Sequence, residues 1–590
     1  MATKETTILI SDFSGGIADD TLQARANEFA LTKHFDIFSK KNRLIPYRDM
    51  EAEAGTLAAF KIGSVALLTD SAGAQNLFAL GETSDANAYP QFLEKSVDMV
   101  TGTFAESTTG AGAVGAVVAA SMFPYKNKLY GLNLDTTVKL FSYDPASNTY
   151  TAAVGNTAKT TSNGIYPKMF RHPLDDILYI GVGNQVSKYD GTTFTAAAYT
   201  APIGMVITSL TDYGVYLAIA LAPIDQSGKS YVALWNRDTS SNYVEPVDFG
   251  EGALMVLENV GGTLVGVSAS AQTTASVFDI TPKVIFREFT GGLARPFKEL
   301  RWNGTGASTL LLYNYKEKVN DRLYFPLKIY TENQTVWQLA VVGKNSQGRL
   351  VVTFDRLFNN DTAVTAINGF NIIGDYAWVF FNGDGSISRT NDAATYTATS
   401  VYDSQIFNGG DSLKEEHLVG VSVLTEAMPA DGKIVCYYRK NEETTYTRIF
   451  QNTTDNSFGH DAVNIENVAE GGDAVTMTQA TPCVVTLAGH KLLAGQPFRF
   501  ITSGALYTGI TAGRIYYVLS TDLAANTFKF AATAGGTAIN TTGTQSGTHK
   551  LDRVFQLPDF REIQFRAEST GGVVITGLRF KYQDKESSKY

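Results

Sequence analysis

Residues 130–150 read YGLNLDTTVKLFSYDPASNTY: an apolar stretch, a turn, a second apolar stretch, and a Tyr-Asp phrase that leads to another aromatic residue. The pattern returns at residues 178–194, LYIGVGNQVSKYDGTTF, and more loosely at residues 216–238, YLAIALAPIDQSGKSYVALWNRD. The spacing is about the length of one four-stranded β-propeller blade. The repeat therefore predicts a ring of small antiparallel sheets, a scaffold that does not by itself specify a function.

The repeat places the blades between residues 51 and 400, where we expect six or seven of them. Residues 1–50 lack the pattern and are predicted to form an N-terminal arm that docks on a larger body. Residues 401–475 and 551–590 hold longer, alternating strands, which are typical of a β-sandwich. Residues 476–550 have short strands joined by Gly, Thr and Ala, and are predicted to be a small β module inserted into the sandwich. The predicted fold class is therefore all-β: a β-propeller, a C-terminal β-sandwich and an inserted module.

The composition excludes some classes of protein. The chain has 590 residues, a net charge of −10, and 44% hydrophobic and 18% charged residues. It is too long for a single core, so two to four domains are expected. An acidic chain without a basic stripe is a poor candidate for a nucleic-acid groove. The low charged fraction is typical of a protein whose surfaces are buried against neighbours.

Neither secretion nor membrane insertion is indicated. The first residues, MATKE, lack the apolar core of a signal peptide, and no apolar run approaches the roughly 18 residues that a membrane span needs. Cys436 and Cys483 lie in apolar, strand-like runs, so we expect two small buried side chains rather than a disulfide or a metal pair.

A propeller of this length is also compatible with a glycosidase, which needs two carboxylates across a cleft. Asp175, Asp176, Asp279 and Asp384 are candidates for that role, but they lie in turn contexts that Asx turns explain better. The repeated Ser-x-Asp-x-Gly-x-x-Trp turns of sialidase-type propellers are absent. The sequence therefore predicts no catalytic residue and no enzyme activity.

Metal and cofactor sites are not predicted either. The six histidines are His34, His172, His417, His460, His490 and His549. None has the spacing of a zinc motif. Residues 382–386 resemble half of a calcium loop without its final Glu, so a hairpin turn is the better interpretation. The glycine-rich residues 110–115 lack the βαβ context of a dinucleotide loop.

Short sequence segments near both ends of the chain resemble segments of a known group of proteins. Residues 13–17 (FSGGI), 34–37 (HFDI) and 42–48 (NRLIPYR) resemble the opening of bacteriophage tail structural proteins. Residues 404–412 (SQIFNGGDS) and 560–572 (FREIQFRAESTGG) resemble the closing domain of the same group.

A segment of the predicted module, residues 503–513 (SGALYTGITAG), is similar to a small β module shared among phage virion proteins. Propeller-bearing tail proteins of short-tailed phages include the tail nozzle or hub. The resemblance implies a hexameric ring that lines the DNA exit channel and lets DNA pass without sequence-specific binding. It also implies contacts with the portal adaptor and with tail fibres or other tail proteins, and a place in the virion tail after synthesis in the host cytoplasm.

Two functions follow as hypotheses. The first is a structural tail ring, with interface candidates in the N-terminal arm: Phe35, Phe38, Leu44 and Tyr47. The alternative is a host-surface glycan-binding tail protein, which uses the propeller rim or the module at residues 476–550 as a lectin.

Two aromatic residues of the module bear on the alternative. Tyr507 and Tyr516 are candidates for stacking on sugars, although a place in the module's own core is favoured for both.

Overall fold

The computed structural model describes most of the chain. The described residues are 5–18, 27–52, 60–71, 73, 75–83, 90–96, 105–106, 122–134, 137–160, 165, 167–225, 228–240, 244, 246–269, 283–290, 292–301, 315–331, 334–356, 367–381, 386–391, 393, 395–408, 414–441, 443–452, 460–462, 473–490, 492, 494–553 and 559–584. Every regular element in them is a β-strand, which confirms the predicted all-β class. In this part of the chain no helix is long and apolar enough to cross a membrane.

The chain divides into two compact units. Unit 1 combines Met1–Pro46 with Tyr396–Tyr590, and unit 2 is Tyr47–Thr395. Unit 1 therefore joins the residues predicted as an N-terminal arm to those predicted as a sandwich and module. The first strands of unit 1 are β1 (Glu5–Ile10), β2 (Phe29–Lys33), β3 (Phe35–Asp36) and β4 (Ile45–Pro46).

Unit 2 contains the next 28 strands of the described chain. They are β5 (Met50–Ala52), β6 (Phe60–Thr69), β7 (Gln75–Thr83), β8 (Pro90–Ser96), β9 (Ala105–Glu106), β10 (Phe123–Tyr125), β11 (Lys128–Leu134), β12 (Val138–Asp144), β13 (Thr149–Asn156), β14 (Lys168–His172), β15 (Ile177–Val182), β16 (Gln185–Tyr189), β17 (Phe194–Thr200), β18 (Met205–Tyr213), β19 (Tyr216–Pro223), β20 (Lys229–Trp235), β21 (Val247–Glu251), β22 (Ala253–Val260), β23 (Thr263–Ala269), β24 (Lys283–Thr290), β25 (Leu293–Arg301), β26 (Glu317–Val319), β27 (Arg322–Thr331), β28 (Gln334–Lys344), β29 (Leu350–Phe354), β30 (Ile367–Ile373), β31 (Tyr376–Phe381) and β32 (Ser386–Thr390).

These strands form seven four-stranded sheets in the described residues. Six sheets take their strands in chain order, from β6-β7-β8-β9 to β26-β27-β28-β29. The seventh is β30-β31-β32-β5, in which Met50 lies opposite Thr390 and Ala52 opposite Ser388. The strand that begins unit 2 therefore completes the sheet that ends it. The sheets are called first to seventh below, in the order of their first strands.

Tight turns explain why the sequence pairs these strands locally. Lys126 and Asn127 join β10 to β11 with φ angles of 45° and 61°, and Asn320 and Asp321 join β26 to β27 with 51° and 56°. A two-residue loop with positive φ at both positions is a type I′ turn, whose twist matches that of the paired strands. The second strand of a sheet, such as β19, is buried on both faces, whereas the fourth strand of the second sheet, β13, is largely exposed.

Neighbouring sheets pack against each other through apolar clusters that include aromatic rings. Tyr179 and Trp235, from the third and fourth sheets, meet edge to face with centroids 6.0 Å apart. Similar contacts join the first and second sheets (Phe78–Tyr143), the second and third (Tyr130–Tyr189), the fourth and fifth (Tyr213–Phe289) and the fifth and sixth (Phe286–Phe325). Leu77 and Trp378 share one apolar cluster, which joins the seventh sheet to the first.

Unit 1 resumes after unit 2 with sixteen strands of the described chain. They are β33 (Ser400–Ser404), β34 (Glu416–Thr425), β35 (Lys433–Lys440), β36 (Thr447–Asn452), β37 (His460–Ala462), β38 (Asp473–Ala474), β39 (Thr476–Met477), β40 (Val485–Thr486), β41 (Pro497–Thr502), β42 (Ile515–Val518), β43 (Thr527–Phe528), β44 (Phe530–Ala531), β45 (His549–Arg553), β46 (Asp559–Phe560), β47 (Ile563–Thr570) and β48 (Ile575–Asp584).

Two five-stranded sheets organise most of unit 1. One has the order β1-β48-β34-β37, with β46 also paired to β34, and the other is β2-β33-β47-β35-β36. They contact each other through the rings of Phe565 and Phe580, whose centroids are 4.8 Å apart. The predicted arm therefore supplies β1 and β2 as edge strands of these sheets. Cys436 and Cys483 are both buried, as expected.

Residues 473–553 form sheets of their own inside unit 1, β38-β45-β41-β42-β44 and β39-β40-β43. Their core is aromatic, with Phe498, Phe500 and Tyr516 among its fully buried members. The segment begins and ends on paired strands, because Asp473 of β38 lies opposite Leu551 of β45. Adjacent ends are what an inserted domain requires.

Candidate functional site

The first strands of all seven sheets of unit 2 line one cavity of 320 Å³, which we call the central cavity. Ligand pockets span about 300 to 1,000 Å³, so the size suits a small molecule or one residue of a polymer. Its wall has one residue or more from each sheet: Ser64, Phe123, Lys168, Asp212, Glu258, Glu317 and Asn371. The rings of Phe123, Phe170, Tyr315 and Phe370 also line it.

Lys168 lies at the start of β14 and is partly exposed to the central cavity. Its Nζ atom is 4.8 Å from the centroid of the Tyr315 ring, which holds the ammonium by a cation–π contact. Burial and the nearby charge of Lys316 lower the pKa of Lys168 to about 7. In the described part of the chain no carboxylate forms an ion pair with Lys168.

Lys316, in contrast, is fully paired. Its Nζ atom lies 2.7 Å from a carboxylate oxygen of Glu258 and donates to the backbone oxygen of Leu210 at 2.7 Å. The Thr211 hydroxyl donates to the other oxygen of Glu258. A buried pair with its remaining groups hydrogen-bonded holds neighbouring strands in place, so we assign Lys316 and Glu258 a structural role.

Glu317 is held as a partly protonated acid. Burial raises its pKa to about 7, with a smaller contribution from the charge of Glu258. One of its oxygens accepts a hydrogen bond of 2.6 Å from Asn371 Nδ2, while Asn371 Oδ1 accepts from the backbone nitrogen of Val65 at 2.7 Å. Those two bonds fix the amide and link the sixth, seventh and first sheets at the cavity wall.

Asp212 is the third carboxylate of the wall. Its Oδ2 atom accepts a hydrogen bond of 2.9 Å from Asn259 Nδ2. The central cavity thus offers aromatic faces, an ammonium, a protonatable acid, a carboxylate and an amide. Convergent polar groups among aromatic rings, with titrating groups of shifted pKa, are the usual marks of a binding site.

Two of the candidate catalytic aspartates, Asp175 and Asp176, are not part of the cavity wall. Asp175 accepts hydrogen bonds from the backbone nitrogen of Ile177 at 3.2 Å and from the Tyr179 hydroxyl at 2.8 Å. Asp176 follows it in the left-handed region, with a φ of 54°. Their predicted role in a turn is confirmed. Asp279 and Asp384, like residues 110–115 and most of 382–386, lie outside the described residues.

The predicted interface residues are mostly engaged within the chain. Phe35 and Leu44 have no exposed surface. Phe38 is partly buried, and Tyr47 lies with its ring centroid 4.6 Å from Arg356 Cζ in unit 2. A contact of any of these four residues with another protein stays a prediction.

The module's tyrosines belong to its core. Tyr516 is fully buried, and its hydroxyl accepts a hydrogen bond of 2.8 Å from the backbone nitrogen of Thr511. Tyr507 is partly buried against the same core. The preference for a core role over sugar stacking is therefore confirmed for Tyr516. In the described residues no group of three or more His, Cys, Asp or Glu side chains is placed to hold a metal ion.

Reasoning from the sequence did not find Lys168, Tyr315 or Glu317. The run Tyr-Lys-Glu-Lys at residues 315–318 was visible, as three charges at the start of a strand. Its meaning depends on six other strands that approach the same place, and a local pattern does not contain that information.

Neither a family model nor a curated protein matches the chain. Among solved structures it is similar to a putative 6-phosphogluconolactonase from Bacteroides uniformis, with 12% identity and a TM-score of 0.32 over 49% of this chain and 83% of that one. A second is an engineered GH43 glycoside hydrolase with endo-xylanase and exo-arabinofuranosidase activity: 9% identity, TM-score 0.25, 90% of this chain and 99% of that one. A third is SapL1 lectin in complex with α-methyl fucoside: 12% identity, TM-score 0.28, 51% of this chain and 99% of that one.

These findings correct two predictions. The similar structures include glycoside hydrolases and lectins, and those compared above include no phage tail protein. These findings contradict the prediction of a structural tail ring and the prediction of no enzyme activity. The phrases behind the resemblance have packing roles: the Phe13 ring contacts Tyr402 at 5.2 Å, and a Cβ on Gly15 would lie 2.4 Å from the Asn27 carbonyl oxygen. Packing phrases of this kind do not specify a function.

The predicted partners and virion location came from the same resemblance and stay predictions. The low TM-scores carry no argument about what this chain binds, which has to come from its own cavity.

Proposed function

We propose that the seven sheets are the blades of one seven-bladed β-propeller, with β5 closing the last blade and the central cavity on its axis. The ring and cluster contacts between successive sheets, including the cluster shared by the seventh and first, support this. We also propose that the two five-stranded sheets of unit 1 are a β-sandwich that carries residues 473–553 as an inserted module.

We propose that the protein binds a glycan residue in the central cavity. The observation that carries this proposal is the pairing of aromatic rings with planar polar groups on one wall: Tyr315 beside Glu317 and Asn371. A sugar ring has apolar C–H faces and a rim of hydroxyls. Aromatic side chains cover the faces, while carboxyl and amide groups hydrogen-bond the rim.

The test is binding of the full chain to a panel of immobilised and free glycans, followed by calorimetry on the best ligand. Tyr315→Leu removes the ring and keeps an apolar side chain, and we expect it to weaken binding at least tenfold. Tyr216→Leu is the matched control, because Tyr216 is 39% exposed at the start of β19 and outside the cavity wall. Equal loss in both variants, or no glycan bound at all, would rule the proposal out.

Glycoside hydrolysis is a second candidate, favoured by one observation. Glu317, with its pKa near 7, shares the wall with Asp212, and a glycosidase pairs a protonated carboxyl with an ionised one. Glu258 does not fit the second role because Lys316 occupies it. Release of reducing sugar from a bound oligosaccharide by the wild type, lost in Glu317→Gln with binding kept, would support hydrolysis. Binding without release would leave the protein as a lectin.

A further inference from the structure

We propose that the glycan residue bound in the central cavity is an acidic sugar, and that Lys168 Nζ binds its carboxylate. This inference rests on the proposed glycan-binding function and names the class of ligand.

The argument begins with the cations of the wall: Lys168, Arg171, Lys316 and Lys318. Three of them have a carboxylate of this chain. Arg171 pairs with Asp176, Lys316 with Glu258, and Lys318 lies 3.9 Å from Asp321. Lys168 alone among these four has no carboxylate partner in the described residues.

An ammonium that is largely removed from water without a counter-ion is costly, and burial therefore lowers its pKa. The side chain is nevertheless held in place by Tyr315, with its Nζ atom 4.8 Å from the ring centroid. A ligand carboxylate that reaches Nζ would form a charge-assisted hydrogen bond and supply the missing counter-ion. One cation without a carboxylate partner among the described residues matches one singly charged carboxylate better than it matches a doubly charged phosphate.

The other groups of the wall fit the rest of such a ligand. Asp212 accepts only one described hydrogen bond at Oδ2, so its carboxylate retains acceptor capacity for hydroxyls. Glu317 near neutral pH is partly protonated, so it donates as well as accepts, and it repels a ligand anion less than an ionised carboxylate would. A carboxylate at one end and hydroxyls along the rim are what a uronic or sialic acid presents.

The experiment compares matched ligands on the full wild-type chain by calorimetry. Methyl glucuronide is set against methyl glucoside, methyl galacturonide against methyl galactoside, and N-acetylneuraminic acid against its methyl ester. The members of each pair differ at the carboxyl group, and glucose 6-phosphate tests a phosphate. We expect one acid to bind at least tenfold more tightly than its neutral partner.

Lys168→Met keeps the approximate length of the side chain and removes the charge, so we expect it to abolish the difference in affinity between the acid and its neutral partner. Lys128→Met is the control, because Lys128 lies on β11 outside the cavity wall, with 44% of its side chain exposed, and pairs with Asp144. An acid and a neutral sugar that bind equally would overturn this inference and leave glycan binding intact. Tighter binding of the phosphate would also overturn it, and no binding by any sugar would overturn the proposed function as well.

Should Lys168→Met fail to fold, the wild-type comparison still decides. The wild type's affinity for the acid relative to the neutral sugar must decrease between about pH 6 and pH 9, because Lys168 loses its proton in this range. A relative affinity that stays constant over this range contradicts the role of Lys168. The other titrating or charged groups at the cavity are Arg171, Asp212, Glu258, Lys316, Glu317 and Lys318. Glu317 ionises in the same range and also disfavours an anion, so Glu317→Gln is measured to separate the two effects.

Discussion

Replacing Lys168 by Met should stabilise unit 2, and more so at low pH. The pKa of Lys168 is lowered from 10.5 to about 7 by burial and by Lys316. Between these values the unfolded chain holds a proton that the folded chain has lost, so wild-type stability rises with pH by about 1.4 kcal/mol per unit. Below pH 7 both states are protonated, and the folded state bears the full cost of a charged ammonium.

The variant has no such titration. The amount by which its free energy of unfolding exceeds that of the wild type should therefore decrease between about pH 6 and pH 9. About two pH units of this interval lie above pH 7, where Lys168 loses its proton. That corresponds to about 2 to 3 kcal/mol, and partial exposure of Lys168 to water in the cavity reduces the expected difference to about 2 kcal/mol. Loss of the cation–π contact with Tyr315 lowers the advantage at pH 6, where the lysine is charged, so about 2 kcal/mol is the upper end of the expected difference.

The assay is urea unfolding followed by tryptophan fluorescence. The chain has four tryptophans, at positions 235, 302, 337 and 378, and all of them belong to unit 2, so the signal reports that unit. Lys128→Met, at a half-buried position outside the cavity wall, should change stability little and equally at both pH values. An advantage of Lys168→Met that is constant between pH 6 and pH 9, or a loss of stability at pH 6, would refute the reasoning.

Three further changes test the fold by the same fluorescence signal. The stability of Glu317→Gln relative to the wild type should increase by about 2 kcal/mol as the pH rises from about 5 to about 7.5. The reason is that the pKa of Glu317 is raised to about 7 in the folded state, which resists losing a proton in this range. A difference that does not change with pH would argue against a protonated Glu317. Met50→Asp should destabilise unit 2 by about 3 kcal/mol, since Met50 is buried in the strand that completes the seventh sheet; no effect would mean that β5 is dispensable. Gly131→Ala should cost about 1 to 3 kcal/mol, because its Cβ would lie 2.2 Å from the Phe141 ring, and wild-type stability would show that the ring moves freely.

The local part of the fold was predictable from the sequence. The apolar phrases at residues 130–150 and 178–194 became β11, β12, β15 and β16, because alternating strands and tight turns are encoded within a few residues. Residues 476–550, predicted as a module from their short strands and changed composition, lie within residues 473–553, which form sheets of their own.

Pairings over long distances were not predictable. Met50 meets Thr390, and Ile8 meets Phe580, at separations over which no periodicity in the sequence extends. The sequence did not indicate that residues 1–46 are grouped with the C-terminal sheets. Edge strands need partners, and the choice of partner depends on the whole sheet.

The candidate site was missed for a related reason. Lys168 and Glu317 are ordinary charges in the sequence, and each lies near the beginning of a strand. Their pKa values are shifted because the first strands of seven sheets bury them around one small cavity. The shifts therefore depend on all seven sheets together, and neither sequence segment encodes them alone.

The completion of the seventh sheet by β5 has a consequence for how this chain is assembled from parts. The backbone nitrogen of Asp49 donates a hydrogen bond of 2.9 Å to the backbone oxygen of Thr395, so the two ends of unit 2 are adjacent in space. The ends of the segment at residues 473–553 are likewise adjacent, on β38 and β45. Residues 47–395 and residues 473–553 are thus two segments with adjacent ends, and each is preceded and followed in the chain by residues of unit 1. Because the two ends of each segment are adjacent, domain insertion and circular permutation are geometrically feasible at both places.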